Sequence, residues 1–142
     1  MALQADFYIL AAESGSTEEY ATRLVDKIYR MGLSVLILAG DQPSAQRLDE
    51  TLWRQEGFLP HTLLPGGEQD RIRVCTSATM AGDADVLLNL AGDMPPRLEG
   101  FSRIAEIVPA SPDAREQSRR NYRCYQEKGY SIKTHQIGGQ VR

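Results

Sequence analysis

The stretch that decides the fold runs from Asp6 to Ala39 and reads DFYILAAESGSTEEYATRLVDKIYRMGLSVLILA. It opens with a short apolar run of the kind found in buried strands. Ser16 and Glu19 then form the pattern of a capping box, which marks the start of a helix. That helix carries apolar residues at helical spacing and ends at Gly32, and a second apolar run follows it. Strand, helix and strand in this order indicate a βαβ unit, with a parallel pair and a right-handed crossover.

The rest of the chain continues the alternation of helix and strand. A second helix is predicted at Pro43–Gln55, with Asp41 or Ser44 as its cap, and the following segment through Gln69 is interpreted as a break and a turn. Further strands are predicted at Arg71–Cys75, Asp85–Leu90, Arg103–Val108 and Tyr130–His135. The pattern predicts one α/β domain over residues 1–135, a three-layer sandwich with a mainly parallel sheet. Residues 136–142 are expected to form a flexible tail.

Composition and charge narrow the class of protein. A chain of 142 residues with 42% hydrophobic and 25% charged residues is typical of one globular domain. The net charge of −3 is unevenly spread, because residues 1–110 carry 16 acidic and 9 basic side chains, whereas residues 111–142 carry 3 and 7. This polarity argues against a surface that wraps nucleic acid and predicts a local anion-binding patch towards the C-terminus. Basic residues alone would suit DNA phosphates as well as acidic peptides.

Compartment signals are few. The chain has no run of about 18 apolar residues, and its first residues lack a basic leader, so neither a membrane span nor a signal peptide is expected. Cys75 and Cys124 lie far apart and in no paired motif. Reduced thiols and a cytoplasmic protein are therefore expected.

The basic patch falls on one predicted helix, Arg115–Tyr130. Ser111 and Pro112 precede it as a cap and a first helical residue, and Gly129 provides the stop. Four of its residues share one helical face: Arg115, Arg119, Tyr122 and Arg123. Three guanidinium groups around a phenol suit an acidic peptide, a carboxylate or a phosphate. The alternative is a basic face that only keeps the helix solvated.

Signals for enzymatic or cofactor chemistry are weak. The loop Glu13–Thr17 lies between a strand and a helix, where α/β sheets bind phosphates, and it faintly resembles a flavodoxin loop. It lacks the lysine of a P-loop and the glycines of a dinucleotide fingerprint. His61 and His135 are the only histidines, no nucleophile motif accompanies them, and a metal site would need more ligands. No cofactor, metal or catalytic residue is predicted, and a flavodoxin-like or other nucleotide-binding domain remains the alternative.

Two aromatic residues have two open interpretations. Trp53 lies at the end of the second predicted helix, and Phe58 follows in the break. Large aromatic residues at the end of an element usually belong to the core. They are also the residue type that anchors protein interfaces.

The chain resembles the chi subunit of bacterial DNA polymerase III over nearly its whole length. The most specific part is the block Arg47–Trp53, which reads RLDETLW, followed by Phe58–His61, which reads FLPH. The other matching segments, in order, are Phe7–Leu10, Val108–Pro109, Arg119–Tyr125 and Gly129–Tyr130.

This resemblance implies a function and a set of site residues. Chi subunits are non-catalytic parts of the clamp loader with a Rossmann-like fold and no bound nucleotide. They bind the acidic C-terminal tail of single-stranded DNA-binding protein (SSB), and so reach DNA indirectly. The implied tail-binding positions are Arg115, Arg119, Tyr122 and Arg123, with Val108 beside the same pocket. Trp53 and Phe58 match positions that contact the psi subunit, a surface for which a DNA-repair helicase competes.

Overall fold

The computed structural model describes residues 3–12, 15–54, 60–65 and 70–138. They form three helices and seven strands: β1 (Gln4–Leu10), α1 (Thr17–Arg30), β2 (Val35–Leu38), α2 (Gln42–Arg54), β3 (His61–Leu63), β4 (Ile72–Cys75), β5 (Val86–Asn89), β6 (Arg103–Val108), α3 (Pro112–Glu127) and β7 (Ser131–Ile137). The predicted caps are present. The Ser16 hydroxyl accepts from the Glu19 N–H at 3.0 Å in a full capping box, and Asp41 Oδ1 accepts from the Ser44 N–H at 2.8 Å.

The strands form one seven-stranded sheet in the order β3-β4-β2-β5-β6-β1-β7. Every pair in it is parallel, as the α/β alternation predicts. One detail of the prediction is wrong: β1 and β2 run parallel but are not neighbours, since β5 and β6 lie between them. Strand β1 therefore lies among the strands of the second half of the chain, between β6 and β7. The two edge strands, β3 and β7, each follow a helix.

Apolar side chains fill both faces of the sheet. On one face, α1 and α2 pack Ala21, Val25 and Leu48 against strand residues such as Ile37 and Val74. The opposite face is covered in part by α3, and in part by the loops at residues 76–85 and 90–102. The predicted three-layer sandwich is therefore confirmed, with an irregular layer beside α3.

Two arginines hold that irregular layer in place. Arg73 is only 6% exposed and donates to the carbonyl oxygens of Ala81 and Asp83. Arg97 stacks 4.9 Å from the centre of the Phe101 ring and donates to the Gly82 carbonyl. A guanidinium group can donate hydrogen bonds to several carbonyl oxygens at once. The two arginines therefore take the place of the backbone hydrogen bonds that a helix would have formed in this layer.

Two predicted boundaries are wrong. The segment interpreted as a break contains the short strand β3, which has only three residues. A strand of this length is too short for an alternation of apolar and polar residues to be recognised in the sequence. The last strand continues two residues past His135, because β1 supplies pairing partners as far as Leu10 opposite Ile137. Residues 136 and 137 thus belong to β7, and residues 139–142 lie outside the described residues.

Candidate protein-binding groove

Helix α3 is almost entirely polar, and its ends are marked as the sequence predicts. The Ser111 hydroxyl accepts from the Ala114 N–H at 3.1 Å, and Pro112 follows as a first helical residue. Gly129 ends the helix with a φ of 86°, a left-handed conformation that favours glycine. Within its 16 residues, Asn121 and Tyr125 are the buried ones. These two residues are its buried contact points, and Ala114 and Tyr122 add partly buried packing against the core.

Both contact points converge on Glu106, a buried carboxylate of β6. Tyr125 donates its hydroxyl to Oε2 at 2.7 Å, and Asn121 donates Nδ2 to Oε1 at 3.2 Å. Asn89 of β5 adds a third bond to Oε2 at 3.0 Å. Burial raises the pKa of Glu106 to about 7, although these three donors pull it the other way. Burial and the adjacent Glu106 also raise the pKa of Tyr125.

A groove of about 380 Å³ opens between α3 and the strands β1 and β7. Its floor is apolar, since Phe7 and Ile9 of β1 lie there, and the Tyr122 ring sits 5.6 Å from the Phe7 ring. Arg119 and Arg123 flank it on the helix side. The remaining lining residues are polar: Ser118, Gln126 and Thr134. An aromatic side chain with a nearby negative charge matches this combination of apolar floor and cationic rim.

A second, more polar concavity of about 580 Å³ adjoins the first at the N-terminal end of α3. Arg119 lines both, so it lies where they meet. Arg115 lines the second concavity and donates Nη2 to the Leu10 carbonyl at 3.1 Å, which ties it to the end of β1. Glu116 lies here too, 2.8 Å from Arg119 Nη1.

The structure brings together four of the five predicted tail-binding residues. Arg115, Arg119, Tyr122 and Arg123 all line the two concavities. Val108 does not line them, because it is only 3% exposed and belongs to the apolar core cluster against which Tyr122 also packs. The expected position of Val108 beside the pocket is therefore corrected to a position in this core.

Sequence reasoning missed the residues that the strands contribute. Phe7 and Ile9 form the floor, and Thr134 comes from the edge strand β7. The sequence does indicate that Phe7 and Ile9 lie on one face of β1, because side chains alternate along a strand with a period of two. It does not indicate that this face packs against α3, because that depends on the strand order.

Of the two other predicted interface residues, Trp53 lies on the opposite face of the sheet, at the end of α2. Its side chain is 58% exposed, which favours the interface interpretation over the core one. Its ring packs 4.5 Å from the His61 ring, and His61 Nε2 lies 3.0 Å from Asp49 Oδ1. His61 is therefore a buried strand residue and not the loop residue that was expected. Phe58 lies outside the described residues.

The described part of the phosphate-loop candidate is occupied by the protein itself. Glu19 Oε1 accepts from the Ser16 N–H at 3.3 Å, at the N-terminus of α1. Gly15 has a φ of 91°, and a Cβ there would lie 2.7 Å from the same oxygen. The carboxylate therefore fills the position that an anion would take. Glu13 and Ser14 lie outside the described residues.

The described residues offer neither a metal-binding cluster nor a membrane-spanning helix. Residues 3–12, 15–54, 60–65 and 70–138 contain no group of three or more His, Cys, Asp or Glu that could hold a metal ion. None of the helices among them combines the length and the apolar character needed to cross a bilayer.

Solved structures with a similar fold include two helicases. Crystal structures of T4 UvsW (TM-score 0.66, 5% identity) and of the Pyrococcus furiosus Hef helicase domain (TM-score 0.52, 12% identity) match 96% and 94% of this chain. The chain corresponds to only 41% and 35% of those proteins. At such low identity the likeness concerns the fold alone, and it fits a Rossmann-like architecture.

Sequence relatives identify the family. DNA polymerase III subunit chi of Pseudomonas aeruginosa is 31% identical over 135 residues, covering 93% of this chain and 95% of the relative. The chi subunits of Haemophilus influenzae and Escherichia coli are 31% and 26% identical, covering 97% and 92% of this chain and 100% and 95% of their own lengths. The family model for DNA polymerase III chi subunit, HolC, matches residues 2–133. The chain therefore belongs to the DNA polymerase III chi subunit family, whose members are subunits of the DNA polymerase III holoenzyme and act in DNA replication.

Proposed function

We propose that this protein is a non-catalytic cytoplasmic adaptor that links SSB, through the acidic C-terminal tail of SSB, to the DNA polymerase III clamp loader. The observation that carries the proposal is the groove beside α3, where an apolar floor meets Arg119 and Arg123 at one rim. The opposite charges of this helix and an acidic tail favour such a pair. The adaptor needs no cofactor, and it meets DNA through SSB.

The groove suits a peptide that ends in an aromatic residue with a free carboxylate. The ring would lie on Phe7 and Ile9, beside Tyr122. Arg119 lies at the junction of the two concavities, so its guanidinium would take the terminal carboxylate in a bidentate pair. An SSB tail offers this combination of terminal ring, carboxylate and preceding acidic residues.

Arg115 and Arg123 would attract the acidic residues upstream of the terminus. Arg115 already donates one N–H to the Leu10 carbonyl, and a guanidinium keeps four other donors. The second concavity, which Arg115 lines, also adjoins the N-terminus of α3, where the helix dipole favours negative charge. These contacts are more solvated than a ring in a groove, so they would add mainly to the association rate.

The psi subunit, or a DNA-repair helicase in competition with it, would occupy the Trp53 and Phe58 surface. Trp53 supports this assignment, since a large aromatic side chain that is 58% exposed is typical of an interface anchor. Because α2 and α3 lie on opposite faces of the sheet, the two surfaces would bind their partners at the same time. Simultaneous binding is what an adaptor between SSB and the clamp loader requires.

The deciding experiment is a calorimetric titration with a peptide of the host SSB C-terminus. Arg119→Ala is expected to weaken binding by about 2–4 kcal/mol, the range for truncating one partner of a desolvated charged pair. Arg115→Ala is expected to cost about 1 kcal/mol or less, with a stronger dependence on salt. Deleting the terminal Phe of the peptide is expected to abolish binding to the wild type.

Trp53→Ala provides the control, because Trp53 lies on the other face and its loss is expected to leave tail binding unchanged. The proposal is wrong if Arg119→Ala binds the peptide normally, or if the peptide without its Phe binds equally well. Binding of naked single-stranded DNA as tight as binding of SSB-coated strands would indicate a direct nucleic-acid protein instead.

A further inference from the structure

Glu116 places a negative charge inside the basic surface of α3. Its Oε1 lies 2.8 Å from Arg119 Nη1, and its Oε2 lies 3.8 Å from Arg120 Nη1. The side chain is 57% exposed and that of Arg119 61% exposed, so both groups are reachable from solvent. Positions three apart on a helix face each other, which allows the pair to form within the helix itself.

Glu116 is the acidic residue among those that line the two concavities. It pairs with Arg119, the arginine that both concavities share and the position where a ligand carboxylate would bind. The Arg123 side chain, by contrast, has no hydrogen bond or ion pair to any residue that the structure describes. The internal carboxylate is thus paired with the arginine to which the proposed function assigns an anionic chain end.

We infer that Glu116 is a built-in competitor for the Arg119 carboxylate site and thereby regulates how tightly an acidic chain end is held. This inference rests on the proposed function of the groove. In the free protein the Glu116 carboxylate accepts one hydrogen bond from the Arg119 guanidinium. A ligand with a free terminal carboxylate either displaces Glu116 or shares the guanidinium with it beside a like charge. In both cases the ligand gains less free energy from its ion pair with Arg119.

The exchange has a defined consequence for affinity. Without Glu116, a terminal carboxylate would meet a guanidinium that no lining carboxylate of the two concavities contacts. An amidated chain end makes no ion pair with Arg119, so it gains only from the loss of repulsion between Glu116 and the acidic residues upstream. The competitor therefore lowers the affinity most for free carboxylates, and it shortens the lifetime of the complex, since most affinity changes within one interface appear in the dissociation rate.

The test compares Glu116→Gln with the wild type in titrations with two forms of one acidic, Phe-terminated peptide of the host SSB tail, free acid and C-terminal amide. Glu116→Gln is expected to bind the free acid about two- to fivefold more tightly, the equivalent of one exposed ion pair, and to bind the amide with a smaller gain. The difference between the two gains is expected to disappear in the Arg119→Ala background, as a double-mutant cycle requires for a direct coupling.

Glu50→Gln is the matched control for net charge. Glu50 is an exposed glutamate of α2, on the opposite face of the sheet, and its replacement removes the same charge. The inference is overturned if Glu50→Gln tightens binding as much as Glu116→Gln does, or if the free acid and the amide gain equally from Glu116→Gln. Equal affinity of the wild type and Glu116→Gln would overturn this inference alone, whereas no measurable binding by either protein would overturn the proposed function as well.

Discussion

The single tryptophan of the chain, Trp53, is held in place although most of its surface faces solvent. Asp49 and Trp53 lie four residues apart on α2, so they project from the same side of the helix. Between them sits His61 of β3, which contacts the carboxylate of one and the ring of the other. The spacing of Asp49, Trp53 and His61 along the chain thus allows these three side chains to contact one another. Their contacts orient the Trp53 ring before any partner binds. A preoriented ring loses little conformational entropy on binding.

Trp53→Ala is therefore expected to weaken binding of the host's psi subunit, or of the helicase that competes for the same surface, by about 2 kcal/mol or more. Met31 provides a matched control, since it is also 58% exposed and ends the neighbouring helix α1. Met31→Ala should have no comparable effect on this partner. Surface plasmon resonance with the immobilised partner would measure both. Unchanged binding by Trp53→Ala, or an equal loss with Met31→Ala, would contradict the assignment.

At the scale of elements, the position of α3 depends on hydrogen-bond directions more than on apolar area. Asn89 Oδ1 accepts from the Ala91 N–H at 2.9 Å, which fixes the orientation of its amide and aims its NH₂ group at Glu106. Asn121 likewise donates both to Glu106 and to the Gly92 carbonyl. All the groups that meet Glu106 are donors, so the site requires an acceptor, and the helix is held in one register on β6.

The raised pKa of Glu106 predicts an unusual pH dependence of stability. Between the ordinary value of 4.5 and about 7, the folded state retains a proton that the unfolded chain has released. The free energy of unfolding should therefore fall as the pH rises through this window, by about 3 kcal/mol at most, and level off above it.

Asp6 affects the stability in a different pH range. Burial would raise its pKa, but hydrogen bonds led by that from Arg103 lower it, so its contribution is lost only at acid pH.

Urea denaturation of the wild type and of Glu106→Gln between pH 5 and pH 8 would measure this dependence. The glutamine variant cannot ionise, so its stability should lose the decline that the wild type shows. The same pH slope in both proteins would show that Glu106 is not the group responsible.

At the scale of the whole molecule, the second concavity lies where parallel sheets usually bind ligands. The end of β1, the loop after β6 and the N-terminus of α3 meet there, at the carboxyl edge of the sheet. The groove itself opens on the face of the sheet, between α3 and the strands β1 and β7. The N-terminus of α1, which follows β1, is filled by the Glu19 carboxylate.

Nucleotide binding at the first helix is accordingly expected to be absent. Titrations with ATP, NAD and FMN should show no saturable heat, and the purified protein should show no flavin absorption. The physical reasons are the Glu19 carboxylate at the helix N-terminus and the lack of a lysine to balance phosphate charge. Saturable binding that Gly15→Asp abolishes would contradict this expectation and would favour the nucleotide-binding alternative.

Local features that depend on neighbours in the chain could be predicted from the sequence. The Ser16 capping box, the Ser111 cap and the Gly129 stop need only a few adjacent residues, and all three are present. The parallel α/β class followed from the alternation of strands and helices, and the basic face of α3 from the helical period alone. These properties are encoded at short range, so one sequence was enough to determine them.

The order of the strands, and the residues that lie next to the basic face of α3, are determined by the tertiary structure alone. The strand order places β1 under α3, so that Phe7 and Ile9 become the floor of the groove while Val108 is buried in the core. It also brings Glu106 within hydrogen-bonding distance of Asn121 and Tyr125. Such contacts join residues far apart in sequence, and their geometry depends on the register and order of the whole sheet, for which the period of a single strand contains no signal.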